Sequence, residues 1–198
     1  GFTVIGSMPE DYYVLCQDAD HAEMIRDFYY TPHAIQFPPG GMEKGYIEEE
    51  RTADVVFIGN YFPDQVDQLD EAQKAFYRYM LQHPQSNFEA GYCSMHGLDR
   101  RELEAGEEKR EEFVRKMREF KPACRAVIGH FRNEVIHTIL DAGIPLHVYG
   151  DSWKNAPYKN NENLIMHDQI SVEASITVLQ HAKIGLNIIF VFLFFNHR

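Results

Sequence analysis

The sequence is poor in cysteine, and this scarcity excludes several kinds of small, cross-linked or metal-stabilised protein. Its three cysteines, Cys16, Cys93 and Cys124, lie far apart, and none belongs to a CxxC pair. An odd number at such spacing argues against a disulfide framework and against a structural zinc site. The N-terminus also lacks a basic segment followed by an apolar run, which is the pattern of a secretory signal peptide. We therefore expect a protein of a reducing, cytoplasmic environment.

Basic residues are scarce as well. Lysine and arginine number 19 against 30 aspartates and glutamates, which gives a net charge of −11. Long nucleic acids are bound through basic surfaces that neutralise their phosphates, so a nucleic-acid polymer is not an expected partner. A single nucleotide needs only a few N–H donors and one or two cations, so this smaller ligand remains open.

Long apolar runs are absent, apart from one near the end of the chain. Residues 188–195 read IIFVFLFF, which is shorter than the ~20 apolar residues of a membrane-spanning helix. As an uncharged strand without proline, this run would be prone to aggregation. We expect no membrane span.

The hydrophobic pattern predicts alternating strands and helices. In the first part of the chain, it predicts a strand at 12–16, a helix that Asp20 caps and that reaches residue 30, a short apolar run at 33–37 and a linker at 38–41. After the linker, it predicts strands at 54–58, 145–149, 163–166 and 185–188, and helices at 65–82, 103–120, 126–142 and 172–181.

This alternation is typical of an α/β fold with a parallel, Rossmann-like sheet that carries helices on both faces. Ligands of such sheets bind beyond the carboxyl ends of the strands. Three short segments follow predicted strands and should meet there: Gly59-Asn60, the run from Gly150 to Trp153, and His167-Asp168. They are the candidate binding residues.

Each candidate also has a structural interpretation. Gly59 and Asn60 could let backbone N–H groups approach a diphosphate, or could simply form a turn between a strand and a helix. The segment lacks the fuller GxGxxG pattern. Trp153, the one tryptophan, could stack on a base or sugar, or could fill the core. Asp151 could cap a turn.

Arginines and histidines on the predicted helices are weaker candidates. Arg125 and Arg132 could neutralise a phosphate, although the sequence favours surface residues in i,i+4 pairs, and Lys154 is similar. His130 and His137 lie seven residues apart and share a helix face. A metal site would need i,i+4 spacing or further ligands, so we expect surface histidines and no metal.

Three stretches together resemble the CgeB-like (spore-maturation) glycosyltransferase family. They are RNEVIHTILDAGIPLHVYGDSW at 132–153, NLIMHDQISVEASITVLQHAKIGLNI at 163–188, and FPPGG followed by DVVFIGNYF. The resemblance covers residues 11–187. It implies a GT-B architecture, in which two Rossmann-like domains hold a nucleotide-sugar donor between them and no metal cofactor is required. It also implies that His167 and Asp168 lie where the nucleotide base binds, the alternative being a solvated loop. Asp18, Asp20 and His21 could suggest a metal cluster, but the capping role of Asp20 is the simpler account. The letters DAD at Asp18–Asp20 match the DxD of metal-dependent GT-A enzymes, but the α/β pattern around them does not otherwise support that interpretation.

The resemblance also implies a partial chain. Residues 1–41 resemble the end of the acceptor-side domain, 52–188 resemble part of the nucleotide-sugar-binding domain, and 189–198 match nothing expected of the family, as a frameshift would produce. The implied activity is transfer of a sugar from a nucleotide diphosphate to an unknown acceptor, with no catalytic residue assigned. Two alternatives remain: a nucleotide-binding α/β module without catalysis, and an inactive fragment.

Overall fold

The computed structural model describes residues 13–16, 22, 23, 25, 26, 33–37, 50–99, 103 and 106–188. The predicted linker at 38–41, the residues Asp18, Asp20 and His21, and the apolar tail from 189 onward lie outside this part. The chain divides into two compact units. Among the described residues, the first contains 13–37 and 66–127, and the second contains 50–65 and 128–188. The domain boundaries inferred from the resemblance stay a prediction.

The first unit contains a pair of short parallel strands. β1 (Val14–Cys16) pairs with β2 (Ala34–Gln36) in the register Val14 to Ala34. Both strands lie inside the apolar runs that the sequence predicts at 12–16 and 33–37. The residues described between them, 22, 23, 25 and 26, are helical, in agreement with the predicted helix.

Three helices of the first unit pack around aromatic side chains. They are α1 (Glu71–Gln82), α2 (Phe88–His96) and α3 (Glu107–Glu119). The buried ring of Phe76 lies 6.2 Å from Phe88, 6.2 Å from Tyr92 and 5.3 Å from Phe120. α1 begins with a capping box, in which Asp70 accepts from Gln73 N and Gln73 returns a bond to Asp70 N.

The sequence analysis did not predict α2. Asn87 caps its first turn by accepting a hydrogen bond from Ala90 N at 2.6 Å, and Gly97, with φ of +63°, ends it. These end signals were present in the sequence. The helix is only nine residues long and contains a glycine, so its periodicity is short and weak.

The second unit is built on a four-stranded parallel sheet. Its strands are β3 (Ala53–Ile58), β4 (Leu146–Tyr149), β5 (Leu164–His167) and β6 (Ala182–Leu186), in the order β5-β4-β3-β6. This confirms the predicted parallel, Rossmann-like α/β fold. The predicted last strand at 185–188 was wrong by three residues at its start. The strand begins directly after the preceding helix, because Ala53 N bonds to His181 O and the buried Ala182 pairs with Ala53.

α4 (Lys121–Asp141) covers one face of this sheet. Its side chains Ile136 and Leu140 pack in the core with the strand residues Val55, Phe57, Leu146, Val148 and Leu164. The helix begins five residues before the predicted 126, since Pro122 fits the first turn of a helix. α4 ends before Gly143, which has φ of +70°.

α5 (Val172–Gln180) lies on the opposite face, where Leu179 approaches Gly185 of β6. Ser171 caps it by accepting from Ala174 N at 3.2 Å. Since paired residues in register point to the same face, this face also carries His147, Tyr149 and His167, which are half-buried.

The cysteines are buried and free of disulfides. Burial raises the pKa of the Cys93 thiol to about 11 and that of Cys124 well above its usual range. These two thiols therefore stay protonated at neutral pH. Among the described residues, no helix has both the length and the apolar character that crossing a membrane requires.

Candidate functional site

The three predicted binding segments lie side by side at the carboxyl ends of the strands. Hydrogen bonds continue the sheet past its last paired residues: Gly59 N donates to Tyr149 O at 3.0 Å, and Gly150 N donates to His167 O at 3.2 Å. The ends of β3, β4 and β5 are thereby joined into one edge, which we call the rim. The sequence prediction of this meeting point is confirmed by these contacts, whereas a ligand role for its residues stays a prediction.

Neighbouring atoms leave little space for a side chain at the two rim glycines, Gly59 and Gly150. A Cβ atom on Gly150 would lie 2.9 Å from Asn60 Oδ1 and 2.9 Å from Gly59 O. On Gly59 it would lie 3.1 Å from the Phe57 ring. The turns after β3 and β4 therefore pack directly on one another, and a larger residue at position 150 would separate them.

Trp153 packs in the core and donates a hydrogen bond to the turn after β3. It is 1% exposed, and its Nε1 donates to Gly59 O at 2.7 Å. Its ring meets Phe57 edge to face, at 5.8 Å between centroids, and lies 6.0 Å from Tyr61. Both the ring and the donor are engaged inside the protein, which is the core role that the sequence left open.

The polar residues beside Trp153 link neighbouring turns. Ser152 Oγ lies 3.1 Å from Asn60 Oδ1 and 3.3 Å from Tyr61 O. Asp151, which is exposed, accepts from Gln169 N at 3.2 Å and so caps the turn after β5. These bonds hold the turns in place from both sides.

His167 lies at the rim on the sheet face opposite α4. Its ring stacks on Tyr149 at 4.3 Å, and its Nε2 lies 3.0 Å from Nδ1 of His147. Burial, followed by the charge of a protonated His147, lowers the pKa of His167, and the exposed Asp168 opposes that shift. The imidazole is therefore neutral at pH 7 and can donate or accept a hydrogen bond.

Arg132 lies beside the rim, and the expectation of an ordinary surface arginine is wrong for it. Its guanidinium lies 5.7 Å from the Phe57 ring centroid and 5.6 Å from that of Phe62, and Nη2 donates to Ile188 O at 3.1 Å. Nε is buried and has no hydrogen-bond partner among the described residues. Burial lowers the pKa of Arg132, yet an arginine stays charged at neutral pH. Arg125 and Lys154, by contrast, are exposed.

A second feature, which the sequence analysis missed, is a pocket of about 430 Å³ along α4, which we call the α4 pocket. Its walls are formed by Tyr61, Asp64, His130, Asn133, Glu134, His137, Thr138, Asp141 and Pro157. The prediction that His130 and His137 share a helix face is confirmed by their place in these walls. Within the described part of the chain, no group of three or more His, Cys, Asp or Glu side chains could hold a metal ion.

Comparison with protein-family models, with curated proteins and with solved structures gave no match. The class of the second unit is therefore defined by its fold alone. It is a parallel, Rossmann-like α/β unit with glycines at the rim.

Proposed function

We propose that the second unit binds a nucleoside diphosphate sugar at the rim, and that the chain is a piece of a glycosyltransferase. The observation that carries the proposal is the position of Arg132. This charged, half-buried guanidinium and Gly59 both adjoin the Phe57 ring, at the carboxyl end of the central strand.

A diphosphate needs positive charge and N–H donors, whereas the chain as a whole is acidic. The net charge of −11 repels anions at long range. A half-buried cation acts in a medium of lower effective dielectric than bulk water, so its attraction for a phosphate is stronger than at a fully exposed position. Arg132 is therefore a positive charge beside the edge where parallel sheets bind their ligands.

In glycosyl transfer, the acceptor oxygen forms a bond to the anomeric carbon of the sugar, and the bond from that carbon to the diphosphate breaks. The acceptor proton passes to a base, and the diphosphate leaves with the bonding electrons. Arg132 would stabilise the negative charge that develops on this leaving group. The resemblance to CgeB-like enzymes supports the proposal, and no described residue is assigned as the base.

The test is thermal unfolding of the purified chain with and without UDP, GDP and their sugar conjugates. One nucleotide should raise the unfolding temperature selectively, because a ligand at ~100 times its Kd adds about 2.7 kcal/mol to the free energy of unfolding. Arg132→Gln should remove this shift. Arg125→Gln, an exposed position on the same helix, should keep it.

Other outcomes would favour the alternatives. Nucleotide binding without turnover of any sugar donor would indicate a binding module. No shift with any nucleotide, from a chain that unfolds cooperatively, would indicate a fragment without a ligand site and would contradict the proposal.

A further inference from the structure

β4 and β5 carry two hydrogen-bonded histidines on the sheet face opposite α4, which we call the histidine pair. Nδ1 of His147 lies 3.0 Å from Nε2 of His167. The ring planes differ by 11°, and the ring centroids lie 5.3 Å apart, which exceeds the distance between the nitrogens by the radii of the two rings. The two nitrogens therefore face each other nearly in one plane. One of them carries a hydrogen that the other accepts.

This geometry suits a shared hydrogen rather than a shared metal ion. A metal ion needs lone pairs that converge on one point beside the rings, with further ligands around it. Here each nitrogen points at the other, and the described ranges contain no group of three or more His, Cys, Asp or Glu side chains that could hold a metal. The hydrogen bond exists while at most one ring is protonated. A second proton removes the acceptor and places two positive charges next to each other.

The histidine pair belongs to one edge of the sheet. In the order β5-β4-β3-β6, the described part of β5 pairs with β4 alone. The carboxyl end of β5 is held by Gly150 N, which donates to His167 O at 3.2 Å. The His167 ring also stacks on Tyr149 at 4.3 Å. Repulsion between the two imidazoles would therefore act on a strand end that the sheet holds from one side.

The groups described around the histidine pair offer little to balance a second positive charge. The β3 residues that adjoin it on this face, Val56 and Ile58, are uncharged. Asp168 opposes the pKa shift of His167, but it is exposed, so water screens its attraction. Burial raises the pKa of Tyr149, which stays neutral. The other charged or titratable residues described on this face, on or next to α5, or in the turn after β4 are bonded to other groups or exposed: Asp54, Lys183, Glu173, His181, Asp151 and Lys154.

We propose that the histidine pair is a pH-dependent switch, which joins β4 to the carboxyl end of β5 while at most one ring is protonated and separates them when both rings are protonated. Burial, followed by the charge of His147, lowers the pKa of His167, so the joined arrangement disfavours the second proton. A separated ring takes up its proton near its ordinary pKa of about 6.5. The joined state is therefore favoured above that pH and is progressively lost below it. The inference does not depend on nucleotide binding at the rim.

NMR spectroscopy of the full chain between pH 7.5 and 4.5 tests the proposal. The nitrogen shifts of the rings measure protonation, and a nuclear Overhauser effect between the His167 and Tyr149 rings measures their contact at 4.3 Å. This effect should be lost below pH 6.5, and the Gly150 amide resonance should move as its bond to His167 O lengthens. The Gly59 amide, which bonds to Tyr149 O, should keep its resonance.

Two variants separate the action of the pair from a general effect of acid. His147→Gln stays neutral at every pH, so the contact between His167 and Tyr149 should persist to pH 4.5. His83→Gln removes a histidine from an exposed position at the end of α1 and should behave as the wild type. Persistence of the contact in the wild type down to pH 4.5 would overturn the proposal. So would equal loss of the contact in His147→Gln, or its loss only together with the Gly59 resonance, which would indicate unfolding of the whole unit.

Discussion

Gly129 offers the sharpest test of how the α4 pocket is built. Replacing it with alanine places a methyl group 2.8 Å from Pro63 O, 2.9 Å from Asp64 Cα and 3.0 Å from Asp64 N. All three atoms belong to the backbone, so the loop that follows β3 has to move as a whole. Forcing extra volume into such a contact costs about 1–3 kcal/mol. Alanine also favours the helix over glycine by about 1 kcal/mol.

The two effects oppose one another, and we expect the steric term to be larger. Gly129→Ala should lower the free energy of unfolding by about 1 kcal/mol. Urea denaturation followed by circular dichroism measures this change.

Gly91→Ala provides the matched control. Gly91 is also a buried glycine inside a helix, but its added methyl would meet the sulfur of Met80, at the flexible end of a side chain. Methionine can change rotamer to make room, so this variant should be less destabilised than Gly129→Ala. If Gly129→Ala is as stable as the wild type, the inferred contact between the loop and α4 is wrong.

Three further predictions concern the rim and the first unit. Trp153→Phe leaves Gly59 O without its indole donor and removes buried volume, so the free energy of unfolding should fall by about 2 kcal/mol; a change below ~0.5 kcal/mol in urea denaturation would contradict this role. The pKa of His167 in the folded chain is lower than its ordinary value of 6.5. As the pH falls below 6.5, the imidazole of the unfolded chain is therefore protonated before that of the folded chain. Stability should therefore be full above that pH and decline below it, and His167→Gln should reduce this decline when urea midpoints at pH 7.5 and 5.5 are compared. Asp70→Ala removes the capping box with Gln73 and should cost about 1 kcal/mol, an effect that helical circular dichroism on heating can follow.

The sheet could be predicted from the sequence because its strands are short apolar runs that end in glycine or polar residues. DVVFI before Gly59 and LHVY before Gly150 give both the strand and the turn, and alternation with helices gives the parallel topology. The rim follows from that topology alone, since the carboxyl ends of parallel strands meet at one edge.

Other features depend on contacts that the sequence does not display. Arg132 is half-buried because Phe57 and Phe62, 75 and 70 positions earlier, come to lie beside it. The α4 pocket depends on the close approach of Pro63 to Gly129, and a glycine within a helical pattern gives no indication of what packs against it. The role of Trp153 was undecided for the same reason, because only the fold shows that its donor meets Gly59 O.

The order of the strands has a consequence for how this unit folds. β4 and β5 pair residues that are close in sequence, with Leu146 beside Leu164, 18 positions later. The central strand pairs far more distantly: Val55 with Leu146, 91 positions away, and Ala53 with Ala182, 129 positions away. Pairing at such separation requires closure of long loops, which slows folding. During synthesis, β3 therefore leaves the ribosome long before either of its neighbours exists, and the rim forms only after β5 has been made.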